Sequence, residues 1–337
     1  MLSCAGAVVD KERRRQRCNI GDWPDRSCHG RTKRETLSAY GSYRSRARFA
    51  RKRRLSIAKA VPAASQWADG GARGETRRAV FIDTETTGLD IERDEVIELA
   101  LIAFEYEHVT GRIVSVDEAG AYSGLRQPSV SIPPESSRIH GIHDKDVAGC
   151  TVDAGRLREI VEPAHLIIAH NAAFDRPMVE KHWPLFESKH WACSLVDIDW
   201  RSEGLSSAKL DYLLMRQGWF HAEHRAMSDA QAGLFLMSLP LPVSQRLTLA
   251  ALLDNARRPL RAVRAEDTPF ALRTALKQRG YQRDAGTDER PKAWWMLTNS
   301  PEEEVAWLNA EIYPAPRVVP VISVPATRRY SSRVWPS

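Results

Sequence analysis

The sequence predicts an α/β fold: a mixed sheet with helices on both faces, followed by a smaller α/β unit. Three observations predict it. Apolar runs of strand length recur at 79–83, 96–105, 112–117, 165–170 and 191–194. Segments of helical character alternate with the later runs, at 153–161, 172–181, 208–217 and 227–237. Three strands in succession, then strand–helix alternation, is the order a mixed sheet covered on both sides requires.

The first run, Ala79-Val80-Phe81-Ile82-Asp83, is entered from a charged flank and reads as a buried strand. Thr86-Thr87-Gly88 ends it with turn chemistry. The Gly-, Pro- and Ser-bearing stretch 117–137 reads as a long loop. Leu166-Ile167-Ile168-Ala169 is a second buried strand, and Asn171 stands where it can N-cap the next helix. Beyond Leu239, 245–256 reads as a helix and the Arg-rich stretch to 268 as a linker. A small unit follows: a helix at 272–277 ended by Gly280, a strand at 292–296, and a helix at 302–311 with Pro301 in its first turn. The domains expected are therefore 1–76, a basic disordered extension; 77–240, the main domain; 241–268, helix and linker; 269–315, the small module; and 316–337, a disordered tail.

Charge is distributed unevenly. Up to Arg78 there are 20 Lys/Arg against 7 Asp/Glu, a net of +13 in a chain of net +6, which leaves 29 against 36, or −7, for the rest. The basic character belongs to the extension, where Arg13-Arg14-Arg15 and Arg51-Lys52-Arg53-Arg54 cluster. A nucleic-acid tether, a nuclear-localisation-like run and an over-long start all fit it. Asp10, Glu12, Asp22 and Asp25 argue against a transit peptide. Five cysteines, odd in number and without Cys-x-x-Cys, indicate neither a disulfide framework nor a zinc site. No apolar stretch approaches the ~18–20 residues that cross a bilayer, so a soluble, cytoplasmic protein with no membrane partner is expected.

Chemistry concentrates in three stretches. Asp83 and Glu85 lie two apart on one strand and so share a face. Asp175 falls about one turn into the helix after Asn171, where the dipole favours a carboxylate. His224 and Asp229 are five apart, so they converge only if His224 sits in the loop before the helix that bears Asp229. Four carboxylates and one imidazole suit hard cations such as Mg²⁺ or Mn²⁺. Two such ions about 4 Å apart can stabilise the attacking and leaving oxygens of a phosphodiester displacement.

In order and spacing, Phe81-Ile82-Asp83-Thr84-Glu85, His170-Asn171-Ala172-Ala173-Phe174-Asp175 and His224-Arg225-Ala226-Met227-Ser228-Asp229 resemble the three motifs of the DEDDh 3′–5′ exonucleases. Ile139-His140-Gly141-Ile142 and Lys209-Leu210-Asp211 fall between them as in that family. The resemblance spans roughly 77–240 and implies a ribonuclease-H-like sheet. It implies that Asp83, Glu85 and Asp229 hold one metal ion, that Asp83 bridges to a second completed by Asp175, and that His224 accepts the proton of the attacking water. It places Thr86, Leu89 and Phe174 beside the terminal nucleotide and the 139–143 segment near the substrate. The implied activity is exonucleolytic release of nucleoside monophosphates from 3′ ends of single-stranded or frayed DNA, in proofreading or repair. A 3′–5′ exoribonuclease and a non-catalytic proofreading scaffold are the alternatives. A polymerase is a candidate partner, and 245–249 resembles a clamp-binding peptide that lacks its aromatic end. In the small module, Tyr281, Trp294 and Trp295 either stack on bases or form its core.

Overall fold

The computed structural model describes residues 58–68, 70–286 and 290–335. The expectations for 1–57 lie outside them. In chain order the strands are β1 (Lys59–Ala60), β2 (Thr76–Thr86), β3 (Val96–Glu107), β4 (Ile113–Val116), β5 (Tyr122–Leu125), β6 (Leu166–Ala169), β7 (Trp191–Cys193), β8 (Trp219–Phe220), β9 (Leu260–Glu266), β10 (Gln282–Asp284), β11 (Ala293–Thr298) and β12 (Val321–Val324). The helices are α1 (Pro134–His140), α2 (Asp144–Val147), α3 (Ala154–Val161), α4 (Ala172–Glu180), α5 (Leu210–Arg216), α6 (Ala226–Ser238), α7 (Thr248–Ala256), α8 (Arg273–Arg279) and α9 (Pro301–Trp307).

The main sheet has the order β4-β3-β2-β6-β7, with β5 also pairing with β3. It is antiparallel between β2 and β3 and parallel from β2 through β6 to β7. This is the mixed sheet expected. Alternate residues of β2 enter two cores: Ala79 and Phe81 pack with α6 and α7, Val80 and Ile82 with α3 and α4. A strand buried on both faces reads as a continuous apolar run, which is why β2, β3 and β6 are legible. The loop expected at 117–137 instead contributes β5 and the start of α1. Tyr122-Ser123-Gly124-Leu125 has no run of β-branched residues, and it is held by its pairing with Glu98–Leu101.

A second sheet, ordered β10-β11-β9-β12, is antiparallel throughout. Its central strand β9 lies in the stretch expected to be a linker. Three charges in Leu260-Arg261-Ala262-Val263-Arg264-Ala265-Glu266 hide the strand pattern. Arg264 is buried there because Asp284 at 2.6 Å and Glu266 at 2.9 Å neutralise it. Tyr281 and Trp294 pack under α8 and α9, and Trp295 meets Trp335 on the opposite face. The aromatics of this module therefore sit in packing contacts.

The 316–337 tail, expected to be disordered, forms β12 and continues back onto the main domain through residue 335. Arg329 is buried, donates to Asp197 Oδ1 at 2.6 Å, and donates from its other nitrogen to the carbonyls of Asn255 and Ala256. In the reverse direction, fully buried Arg176 donates to the carbonyls of Arg329 and Thr327. The boundary at 76 moves as well. The N–H groups of Lys59 and Val61 donate to the carbonyls of Gly218 and Phe220, and the Trp67 ring meets Phe235 at 5.6 Å. Nothing in the local sequence of either segment reveals these distant partners. Breaking a buried ion pair by removing one partner costs about 3–5 kcal/mol. Arg329→Ala should lower stability on that scale in urea unfolding, and adding Asp197→Ala should recover part of the loss. A loss within experimental error would refute the tail as a structural strap.

Candidate active site

Because β2 pairs with β6 only through Ile82, its end projects past the parallel strands and carries Asp83 and Glu85 with it, both half-buried. Helices α4 and α6 bring Asp175 and Asp229 to the same place, each in its first turn. Gly233 permits the approach of α6, because a Cβ there would lie 2.3 Å from Cζ of Phe81. Oxygens of Asp83, Glu85 and Asp229 fall within 4.8 Å of one another. Asp175 is buried beside them and accepts the Thr84 hydroxyl at 2.8 Å. A cavity of about 340 Å³ opens here, lined by Asp83, Asp175, Asp229, His170, Phe174 and His224 among others.

The cluster is short of positive charge. Asp83 is pushed well above the ordinary carboxylate range by burial first, and then by the charges of Asp175, Asp229 and Glu85. Burial, then Asp229 and Glu98, raise Glu85 to about 8. Asp175 rises to about 7 through burial, which the Thr84 hydroxyl only partly offsets. An oxygen-only donor set with this crowding is what hard divalent cations fit. His170 is held neutral, burial lowering it to about 4, and it ties Ser194 Oγ at 2.9 Å to the Ala208 carbonyl at 2.8 Å. Asn171 occupies the N-cap of α4, but without a side-chain cap bond.

The expected histidine is placed differently from the carboxylates. His224 has a left-handed backbone, φ +66°, and its main-chain N–H donates to Asp229 Oδ2 at 2.9 Å. Its side chain is about half exposed at the cavity wall, and its ring nitrogen lies 3.7 Å from Glu223 rather than on one of the four clustered acids. The imidazole on Asp229 belongs to His221, whose Nε2 lies 2.6 Å from Oδ1. Of the residues expected beside the terminal nucleotide, Phe174 lines the cavity. The Thr86 hydroxyl is bonded to the Gly88 carbonyl, and Leu89 stands exposed.

Two further residues escape a sequence reading. Glu98 lies opposite Glu85 across the β2–β3 ladder, a like-charge pairing that costs stability unless neutralised. Arg225 neutralises it with two bonds, at 3.1 and 2.8 Å, and the Ala226 N–H adds a third at 3.1 Å. Glu98 thereby fixes the loop that carries His221 and His224 to the sheet. A lone acid inside Val96-Ile97-Glu98-Leu99-Ala100-Leu101 was the available signal. For His221 the signal was only a second histidine three residues upstream.

Residues 80–236 match the family model described as Exonuclease. Over that segment, just under half of the chain, the sequence is similar to the DEDDh exonucleases. Among relatives of this exonuclease domain, the DNA polymerase III subunit epsilon of Treponema pallidum is 29% identical over 169 residues, covering 46% of this chain and 73% of the relative. A PolC-type DNA polymerase III of Thermotoga petrophila is 27% identical over 205 residues, covering 54% of this chain but only 13% of the polymerase. Among solved structures, exonuclease X in complex with 5′ overhanging duplex DNA aligns with TM-score 0.34 and 23% identity over 52% of this chain and 90% of its own. The complex of Escherichia coli exonuclease I with single-stranded DNA aligns with TM-score 0.44 and 15% identity, covering 67% and 64%. Among the described residues no helix is long and apolar enough to cross a membrane.

Acids whose folded pKa is raised hold protons in the native state that the unfolded chain releases. For Glu85 the window runs from 4.5 to about 8, and stability falls as pH rises through it. In EDTA the Tm should therefore drop between pH 5 and 8. Added Mg²⁺ or Mn²⁺ should raise it, and by more at pH 8; equal increments at both pH values would contradict the crowded-acid reading. Gly233→Ala should cost about 1–3 kcal/mol by overpacking against Phe81. It should also depress activity, since Asp229 lies one helical turn away; unchanged Tm and kcat would refute this close approach as a constraint.

Proposed function

We propose that this chain is a metal-dependent 3′–5′ exonuclease that hydrolyses single-stranded or frayed DNA from its 3′ end and releases nucleoside monophosphates. The observation that carries the reading is the convergence of Asp83, Glu85 and Asp229, with Asp175 beside them, at the open end of β2. A scaffold without chemistry has no use for four crowded acids that destabilise it. The names of the relatives favour DNA over RNA and a role alongside a polymerase.

In this reading Asp83, Glu85 and Asp229 would hold one divalent cation, and Asp83 and Asp175 a second. Such cations would supply positive charge to the phosphate oxygens and acidify water. Attack by water on phosphorus forms one P–O bond, and the bond to the O3′ of the shortened strand breaks, O3′ taking up a proton from solvent. The proton lost by water goes to an imidazole. The motif assigns this to His224, whose loop must then turn its ring inward. His221 is the rival, because its ring already lies on Asp229. Neutral histidine suits the task near pH 7. Phe174 in the cavity wall, together with Thr86 at the end of β2 and Leu89 just beyond it, would hold the terminal nucleotide.

Degradation of 3′-labelled single-stranded DNA, matched and mismatched primer–template and single-stranded RNA tests the substrate. Blocking the 3′ end should stop degradation, whereas blocking the 5′ end should not. EDTA should abolish activity, Mg²⁺ or Mn²⁺ should restore it, and turnover surviving exhaustive chelation would sink the mechanism. His224→Ala should lower kcat about 10²–10⁴-fold and spare cation affinity. His221→Ala should weaken cation affinity instead, since it frees Asp229. The reverse pattern would make His221 the base.

A further inference from the structure

A second cleft, of about 590 Å³, lies at the opposite end of the main sheet. It opens where β2, β6 and β7 begin, whereas the acids stand where β2 ends. Arg77 and Asp83 are six residues apart on one strand, so the two sites are separated by about 20 Å. Arg77, His165, Lys189, His190, Arg257 and Arg258 line the cleft, and among the described residues no carboxylate does. This is a local reversal of sign in a region whose overall charge beyond Arg78 is −7.

Much of that charge is not committed to internal pairing. Among the described residues the side chains of His165, His190 and Arg258 have no hydrogen-bond or ion-pair partner, and all three are exposed. The Lys189 ammonium donates only to the carbonyls of Glu162 and Ala164, which leaves its charge in place. Arg257 is bonded to His108, through its ring nitrogen at 3.0 Å and its carbonyl. Of these six, Arg77 alone has a carboxylate partner among the described residues, exposed Glu75 at 3.2 Å; Arg329, which also lines the cleft, is committed to Asp197. Burial, then Arg257 and Arg77, disfavour the charged form of His108, in keeping with an excess of positive charge around the cleft.

We propose that this cleft is a second nucleic-acid contact, holding phosphates of a single strand whose 3′ end occupies the acidic site. Its cations are spread along an open rim, which suits an extended polyanion. A small free anion would be better served by buried donors that converge on one point. The inference deepens the exonuclease reading and rests on it for the identity of the strand, but its test does not require turnover.

Binding of a labelled, 3′-blocked 30-nucleotide single-stranded DNA to the full chain in EDTA, followed by anisotropy across a salt series, reads the contact directly. Arg258→Glu should weaken affinity about fivefold or more at low salt and flatten the log–log salt dependence by about 0.7, one phosphate on a single strand. Arg283→Glu, the same charge change at an exposed arginine of β10 with no partner among the described residues, should do much less. A dinucleotide is too short to span the two sites, so its kcat/KM should be the same in Arg258→Glu and wild type. Equal effects of the two substitutions, or none from Arg258→Glu, would overturn the proposal. So would displacement of the 30-mer from wild type but not from Arg258→Glu by a free nucleoside monophosphate, which would mark a small-anion site. If the chain binds as expected but degrades no nucleic acid, the catalytic reading fails and the cleft stands.

Discussion

The structure is organised around an electrostatic conflict. Four acids are gathered where water is partly excluded, and each raises the cost of ionising the next. Folding alone cannot remove that cost, because the described residues bring Arg225 to Glu98 and leave Asp83 and Asp175 without a cation. The scaffold that imposes the arrangement is correspondingly rigid. A strand buried on both faces delivers two acids, a helix start delivers the third, and a helix seated on Gly233 delivers the fourth.

Around this cluster the protein separates rigid from adjustable parts. His170 bonds two loops together, and Glu98 pins Arg225 and the start of α6. Between Phe220 and Arg225 the chain is largely exposed and held at its two ends. It presents one histidine to Asp229 and another to solvent, with a left-handed residue at the turn. A non-glycine residue in that conformation costs about 1–2 kcal/mol. That cost is small beside what a change in the position of one ring could contribute to proton transfer.

How much could be read from the sequence follows the range of the interactions. β2, β3, β6 and the helices α3, α4 and α6 were legible because each is patterned by a core it contacts along its whole length. The acids were legible because strand and helix geometry relate them through a few residues at a time. β9 was hidden because Arg264 is neutral in effect only once Asp284 and Glu266 are in place. β5, β12 and the strip at 58–68 were hidden because their partners are remote in the chain. The direction of the His224 ring was hidden for another reason: motif spacing sets where a backbone passes, not which rotamer a loop residue adopts.

The strap formed by Arg176 and Arg329 also sets a clock. Arg176 and Thr327 are 151 residues apart. At about 5–20 residues per second of synthesis, roughly 8–30 s separate the emergence of one from the other. Throughout that interval a guanidinium that is fully enclosed in the finished molecule has Glu180 and the Glu187 carbonyl but lacks the carbonyls of Thr327 and Arg329. The nascent exonuclease domain must therefore wait, with this corner open to solvent or to chaperones, until the second sheet has been made and its last strand has turned back.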